Sequence, residues 1–522
     1  MYKNIQEDDM IIRSKIVRDT LLLTAMQLFL DTAALLLNVF ITRSLGTSAI
    51  GILTLTGTFL GLAGVVSNGN AYLCTSRLIS EELGRKNSCP ERILHHGITL
   101  CLILSTATSA AVFIFAGAFS ERFFGGSDMI GSIRLMPAAL ISGGVASCLK
   151  GWFNANRKSS VTAAGDILEF IVRCGVIVGT VLAAGSPDKG SVCSIMIGSI
   201  IAGNVFSLLF LTAVYIKTRQ HSQGRGTLTF RGYTALAVPI MGGGILTSVL
   251  SSTNDALIPV CLRQYGDSAG EALSMFGVFE AIVIPTLFFP SVILCSMSGI
   301  IVSETARAAA AGDRRRISRL AGDLTAWTLG FSIFAGAVLM RFGGRIGELL
   351  GGGELAGRMI TVIAPVVPFI YMEIISEAMI KGMGLQSFSS LNYLCEYAVR
   401  ISVVLIFVPR VGFWGIAASY YASNIAGNCS RFIKLVRSSG MELRPFRTMI
   451  APLIYVLLTM GTAELLVRAA GGQGTVVSDI ALTLIWGLLY FIAIILLVQN
   501  SSQKRSGTLS NLYKTNKKLC DN

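Results

Sequence analysis

Charge is scarce in this sequence. Of its 522 residues only 14% are Asp, Glu, Lys or Arg, against about 25% in soluble domains, while 52% are hydrophobic and the mean hydropathy is +0.66. That excludes a soluble enzyme with one greasy helix. Histidine is nearly absent as well: His95, His96 and His221 fall in or beside polar loops and form no H-E-x-x-H, so no metal ligand set is expected. The eleven cysteines are scattered singly, their count is odd and no C-x-x-C occurs. Neither a disulfide framework nor a zinc site is indicated, and they read as small buried hydrophobes. No nucleotide or cofactor motif is found. The N-terminal MYKNIQEDDMIIRSK is acidic as well as basic, and no small-residue cleavage site follows the first apolar run. That run is expected to be a retained helix, not a signal peptide.

What the chain does have is apolar runs long enough to cross a bilayer, roughly 17–25 residues each. The reading is an all-α polytopic membrane protein. Fourteen transmembrane helices are placed near 20–42, 50–73, 93–117, 131–149, 161–184, 191–216, 233–261, 272–302, 321–340, 360–380, 391–408, 412–433, 447–468 and 476–499. An even number puts both termini on one side. Cytoplasmic loops hold the excess of Lys and Arg. The termini and the loops after even-numbered spans, with the span ends beside them, carry 31 basic residues, the other loops and their span ends 10, so both termini are expected in the cytoplasm. The same asymmetry accounts for the net charge of +14 and for the run GDRRRISR at 312–319, with no need of a nucleic acid partner.

The second half repeats the first. LEFIVRCGVIVG begins at Leu168 and LCEYAVRISVVL at Leu394, each with E-x-x-x-R in its half's fifth span, Glu169–Arg173 and Glu396–Arg400. Each is preceded by K-G at the cytoplasmic end of the fourth span, in LKGWFNANRKSS and IKGMGLQSFSS. Spans 1 and 7 both carry an acid and an asparagine: Asp31 and Asn38, then Asn254 and Asp255. Six spans separate the copies, so both point the same way, a parallel repeat of the kind seen in secondary transporters. This gives an N-lobe at 1–222, a C-lobe at 223–440, an appended helix pair at 441–500 and a basic cytoplasmic tail at 501–522.

Two six-helix lobes plus an extra pair, with the K-G and E-x-x-x-R pattern, resemble the multidrug/oligosaccharidyl-lipid/polysaccharide exporter superfamily. Within it the chain looks most like the polysaccharide-flippase branch, which holds the stage V sporulation protein B group. The resemblance implies two lobes around a central cavity in the cytoplasmic membrane. It implies a monomeric flippase, surrounded by membrane lipids, that moves an undecaprenyl-diphosphate-linked saccharide or peptidoglycan precursor by alternating access, and so a place in cell-envelope or spore-cortex assembly. No covalent chemistry is involved, so the chain is not an enzyme and needs no cofactor beyond a coupling ion (Na+ or H+) or the membrane potential. A diphosphate needs cationic partners, and Arg43, Arg77, Arg173, Arg263 and Arg400, with Asn38 and Asn254, are the candidate cavity residues. The alternative is a multidrug/cation antiporter of the same superfamily with an acidic cavity. A polymerase or ligase acting on lipid-linked sugar is disfavoured because every outer loop is short.

Ionisable groups inside a membrane face the bundle interior or a wet cavity and are functional candidates by default. Asp31, Glu169, Asp255, Glu280, Glu373, Glu377 and Glu396 are the candidates for charge pairing or ion coupling. Residues four apart share a helix face, so each E-x-x-x-R can neutralise itself, either as a helix lock or as a polar surface toward a cavity. Glu373 and Glu377 are like charges on one face with only Lys381 nearby in sequence. Either one of them is protonated, or the two meet a cation or an arginine from another helix. The glycines Gly57, Gly61 and Gly64 suggest close helix contact. Pro285, Pro290, Pro365 and Pro368 mark bends.

Overall fold

The computed structural model describes residues 25–83, 89–121, 129–156, 158–184, 189–218, 228–442, 445–469 and 478–496. Long helices dominate and no strand occurs among the described residues. Among the described residues twelve helices are long and apolar enough to cross a membrane: Ala25–Leu45, Thr47–Ser80, Pro90–Ile114, Ile130–Ala155, Gly190–Thr218, Ile245–Tyr265, Ala269–Ala309, Arg314–Leu349, Gly353–Gly382, Gln386–Val411, Phe446–Arg468 and Ser478–Leu496. The chain is a multi-pass membrane protein. Two further expected spans fall on Ser159–Ala184 and Phe413–Ser439, helices of 26 and 27 residues. At 1.5 Å per residue each exceeds a hydrocarbon core of about 30 Å. The former carries Asp166, Glu169 and Arg173, the latter Asn424, Asn428 and Arg431. The basic tail lies outside the described residues.

The punctuation is local. Gly69 adopts a left-handed conformation that ends Thr47–Asn68, and Asn70 follows at φ 52°. Asparagine is among the few non-glycine residues that tolerate this region. Ser268 and Glu271 form a reciprocal capping box that starts Ala269–Val278. At Phe279–Val283 that helix widens into a π-turn, then resumes at Ile284–Phe288. Pro285 explains part of this. Having no N–H, it leaves the carbonyl four residues earlier, that of Ala281, without its helical donor. Asn38 Nδ2 supplies one at 2.9 Å. Pro290 and Pro365 each sit in a short 3₁₀ turn.

The described residues form two compact units. The first comprises the chain up to Val292 with Gly344–Met359 and Tyr393–Ser423; the second comprises Ile293–Gly343, Ile360–Asn392 and the chain from Asn424. In the first unit Leu78, Ile79, Leu94, Cys148, Phe153 and Tyr233 pack into a buried core. Thr47–Asn68 crosses Ala269–Val278 with backbone against backbone: a Cβ on Gly51 would overlap the carbonyl of Leu273, and one on Gly277 would overlap Gly51 itself. Thr47 and Ser274 are hydrogen-bonded beside this crossing at 2.6 Å. Gly61 and Gly64, by contrast, have no atom within 4 Å of a notional Cβ, and at Gly57 it would meet the Met196 methyl at an ordinary 3.6 Å, so the closest contact is made about two to four turns earlier, at Gly51. In the second unit, Tyr490 donates to the carbonyl of Gly330 at 2.8 Å and stacks on Phe334, while Trp486 donates to the carbonyl of Val456 at 3.0 Å. Buried Trp and Tyr heads need such partners. They tie the last two helices to each other and to Arg314–Leu349.

Candidate functional site

Three charge networks emerge among the described residues, two in the first unit and one in the second. The first is built on Ser159–Ala184. Glu169 and Arg173 pair along one helix face at 2.9 Å, but the pair is not self-contained. Lys150, from Met136–Ala155, reaches Glu169 at 2.9 Å and Asp166 at 2.7 Å. Two cations therefore meet two carboxylates, and Lys150 bridges two helices. Its side chain is 17% exposed, enough of the stem being buried for the ammonium alone to meet polar surroundings. Arg173 Nε is buried and has no hydrogen-bond partner among the described residues.

The second network surrounds the other E-x-x-x-R. Arg400 Nη2 lies 3.2 Å from Glu396, and both side chains are deeply buried, 11% and 3% exposed. Arg400 Nε donates to Ser423 at 2.9 Å. The guanidinium lies over two tyrosine rings, 4.6 Å from the centroid of Tyr420 and 5.1 Å from that of Tyr397. Both are within the roughly 6 Å at which the ring quadrupole attracts a cation. Phe279 meets the Tyr420 ring edge-on at 5.1 Å. Asp255 and Glu280 lie within electrostatic reach of Arg400. Asp255 accepts from Asn254 at 3.2 Å and from Thr58 at 3.5 Å. Buried Asn254 keeps its own Oδ1 without a partner among the described residues. Glu280 stands on the π-turn, a helix irregularity frequent at functional sites. Thr58 also borders an apolar cavity of about 340 Å³, with Leu55, Phe59, Phe119 and Leu257 among its walls.

The third network answers the pairing of Glu373 with Glu377. Arg431, on Phe413–Ser439 and 1% exposed, lies 3.1 Å from Glu373 and 3.5 Å from Glu377. Lys381 adds a contact to Glu377 at 3.2 Å, and Ser389 donates to the same carboxylate. An arginine from another helix is thus the partner. Asn428, one turn from Arg431 and buried, has no hydrogen bond on either amide atom among the described residues.

Of the remaining candidates, Asp31, Asn38 and Arg43 share the helix Ala25–Leu45, while Arg77 and Arg263 lie on two others. Asp31 accepts from Gln27 at 2.9 Å. Asn38 is committed to the Ala281 carbonyl. Arg43 is exposed and donates to the carbonyl of Leu349 at 2.5 Å, a cation at a helix C-terminus where the backbone dipole favours it. Arg77 is exposed on Ala71–Leu83, and Arg263 is partly buried in the last turn of Phe230–Tyr265. Sequence reasoning had passed over Lys150, Tyr397, Tyr420 and Ser423 as site residues. The repeated K-G could have flagged Lys150, and Tyr397 lies three residues from Arg400. Nothing in sequence placed Tyr420 and Ser423 against them. Among the described residues no group of three or more His, Cys, Asp or Glu is placed to hold a metal ion.

No family model matches the chain. It is 20% identical over 417 residues to stage V sporulation protein B of Bacillus subtilis (strain 168), covering 77% of this chain and 80% of that protein. Among solved structures it resembles the lipid II flippase MurJ in an inward closed conformation, with a TM-score of 0.70 and 13% identity, over 92% of this chain and 99% of that one. It also resembles an inward-facing multidrug resistance MATE family transporter of the MOP superfamily, with a TM-score of 0.58 and 15% identity, over 79% and 94%. The chain is therefore a homologue of stage V sporulation protein B, built on the fold shared by MurJ and the MATE transporters of the MOP superfamily.

Proposed function

We propose that this protein is a flippase that carries a lipid-linked diphosphate saccharide across the cytoplasmic membrane by alternating access. What supports the reading most is a near full-length likeness to a lipid II flippase, joined to homology with a sporulation protein. In this reading fourteen spans form two parallel lobes, 1–222 and 223–440, around a central cavity, with 441–500 appended and both termini cytoplasmic. The protein acts as a monomer among membrane lipids, performs no covalent chemistry, and draws on Na+, H+ or the membrane potential. The donor with the best claim on a diphosphate is Arg173. Glu169, itself paired with Lys150, holds it from one side, and its Nε–H has no partner among the described residues. Desolvated phosphate oxygens are matched well by a guanidinium fork. Arg43, Arg77 and Arg263 would serve at the entrance and exit of the path, where their exposure leaves them hydrated.

Proteoliposomes loaded with a fluorescent lipid-linked diphosphate saccharide test this. Wild-type protein moves the lipid between leaflets; Arg173→Gln, still inserted and folded, slows it at least tenfold, since losing one partner of a desolvated charge costs about 2–5 kcal/mol. Wild-type protein that never moves the lipid, in a preparation that binds and melts normally, defeats the reading. The second reading, cation antiport, is favoured by one observation: three acidic side chains, Asp255, Glu280 and Glu396, gather around Arg400 among the described residues. It predicts acid-driven efflux of a cationic dye that is lost in Asp255→Asn and Glu280→Gln.

A further inference from the structure

Arg400 is held as a soluble cation would be held. One carboxylate, Glu396, faces it at 3.2 Å; two aromatic faces flank it at 4.6 and 5.1 Å; one hydroxyl, Ser423, takes its Nε–H at 2.9 Å. Rings, carboxylate and hydroxyl form a cage of the type that recognises organic cations. Its walls come from two helices, Glu396 and Tyr397 from Gln386–Val411, Tyr420 and Ser423 from Phe413–Ser439. Phe279, from a third element, backs one ring. Two more acidic side chains, Asp255 and Glu280, stand within electrostatic reach of Arg400. Emptied of Arg400, such a seat would be a strongly attracting one.

We infer that the Arg400 guanidinium is a tethered cation: the protein has built a cation cage in this half and occupies it with its own side chain. Arg400 is then a positioning residue, which fixes Gln386–Val411 to Phe413–Ser439 and holds the carboxylates around it, and not a ligand of the transported phosphate. The equivalent Arg173 has no such cage among the described residues. It is 30% exposed, pairs with a carboxylate that Lys150 also holds, and retains an unpartnered N–H. The two copies of one motif have thus diverged, one toward a fixed counter-charge and one toward a free donor. The inference concerns the cage alone and holds whichever molecule is transported.

The test is chemical rescue of the cavity left by Arg400→Ala, read as thermal stability of the purified full-length protein in detergent. Guanidinium and methylguanidinium chloride are titrated at millimolar concentration, far below the molar range in which guanidinium denatures. A ligand that binds only the folded protein raises the folded-to-unfolded ratio about a hundredfold when present at one hundred times its Kd. Saturable stabilisation of Arg400→Ala is expected, absent from wild type and abolished in Arg400→Ala/Glu396→Gln/Tyr420→Leu. Sodium chloride at matched ionic strength serves as the control. If the alanine variant does not fold, Arg400→Gln, which keeps a donor toward Ser423 but no charge, is expected to show the same dependence. No stabilisation by either guanidinium in any variant that folds, or equal stabilisation of wild type, overturns the inference.

Discussion

Replacing Lys150 with methionine removes the ammonium that Asp166 and Glu169 share while keeping most of the apolar stem. The expected loss can be bracketed. Ion pairs on a wet surface contribute about 0–1 kcal/mol, whereas breaking a buried pair by removing one partner costs about 3–5 kcal/mol. Lys150 and Glu169 are 17% and 18% exposed, close to the buried limit, and Asp166 at 40% is close to the wet one. About 2–3 kcal/mol follows for Lys150→Met. Arg173→Met should lose less, about 1 kcal/mol, because Arg173 is 30% exposed and Glu169 keeps Lys150. The order matters more than either value: Lys150 joins two helices, whereas Arg173 pairs within its own. Melting of detergent-solubilised variants, followed by size-exclusion of the surviving monodisperse protein, reads that order. The double variant Lys150→Met/Glu169→Gln should recover part of the loss, since it no longer strands the more buried carboxylate. Exchanging Glu169 with Arg173 should fail for a related reason, because it sets a guanidinium against the Lys150 ammonium. If Arg173→Met is the more damaging substitution, or Lys150→Met melts like wild type, the charge-sharing account is wrong.

Other outcomes follow from single contacts. Arg431→Met leaves Glu373 and Glu377 facing each other, and a loss of about 3–5 kcal/mol is expected; Arg431→Met/Glu377→Gln should recover a measurable part in the same melting assay. Asn38→Leu strands the Ala281 carbonyl at about 1–3 kcal/mol, and Pro285→Ala, which restores an N–H four residues on, should make that substitution nearly neutral; equal losses with and without Pro285 would refute the assignment. Gly51→Val cannot keep the backbone crossing with Ala269–Val278. Overpacking of about 1–3 kcal/mol shifts any equilibrium that opens this crossing by about 5–150-fold. Under the proposed orientation the crossing lies on the outer side. Cysteines placed at positions 47 and 274 should therefore cross-link readily in the parent protein and poorly in Gly51→Val; unchanged cross-linking would show that the crossing does not open.

Much of the architecture was legible without coordinates. Hydropathy alone reveals a multi-pass helical protein, because in a bilayer every backbone polar group must be satisfied within its own segment, so a long apolar run has few options other than helix. The i,i+4 pairs Glu169–Arg173 and Glu396–Arg400 were equally legible, since 3.6 residues per turn fixes that contact before any packing occurs. The like-charge pair Glu373 and Glu377 within an apolar run showed that some compensation was needed. Its identity as Arg431, more than 50 positions away, could not be read, because contacts between helices depend on crossing angle and rotation, which local periodicity does not encode. The same limit hid Tyr420 and Ser423 behind Arg400 and Asn38 behind Pro285. It also concealed that two copies of one motif sit in different surroundings, Lys150 beside Glu169 and a tyrosine cage around Arg400. Sequence determined which helices exist and which of their charges need compensation; tertiary packing decided which charge compensates which.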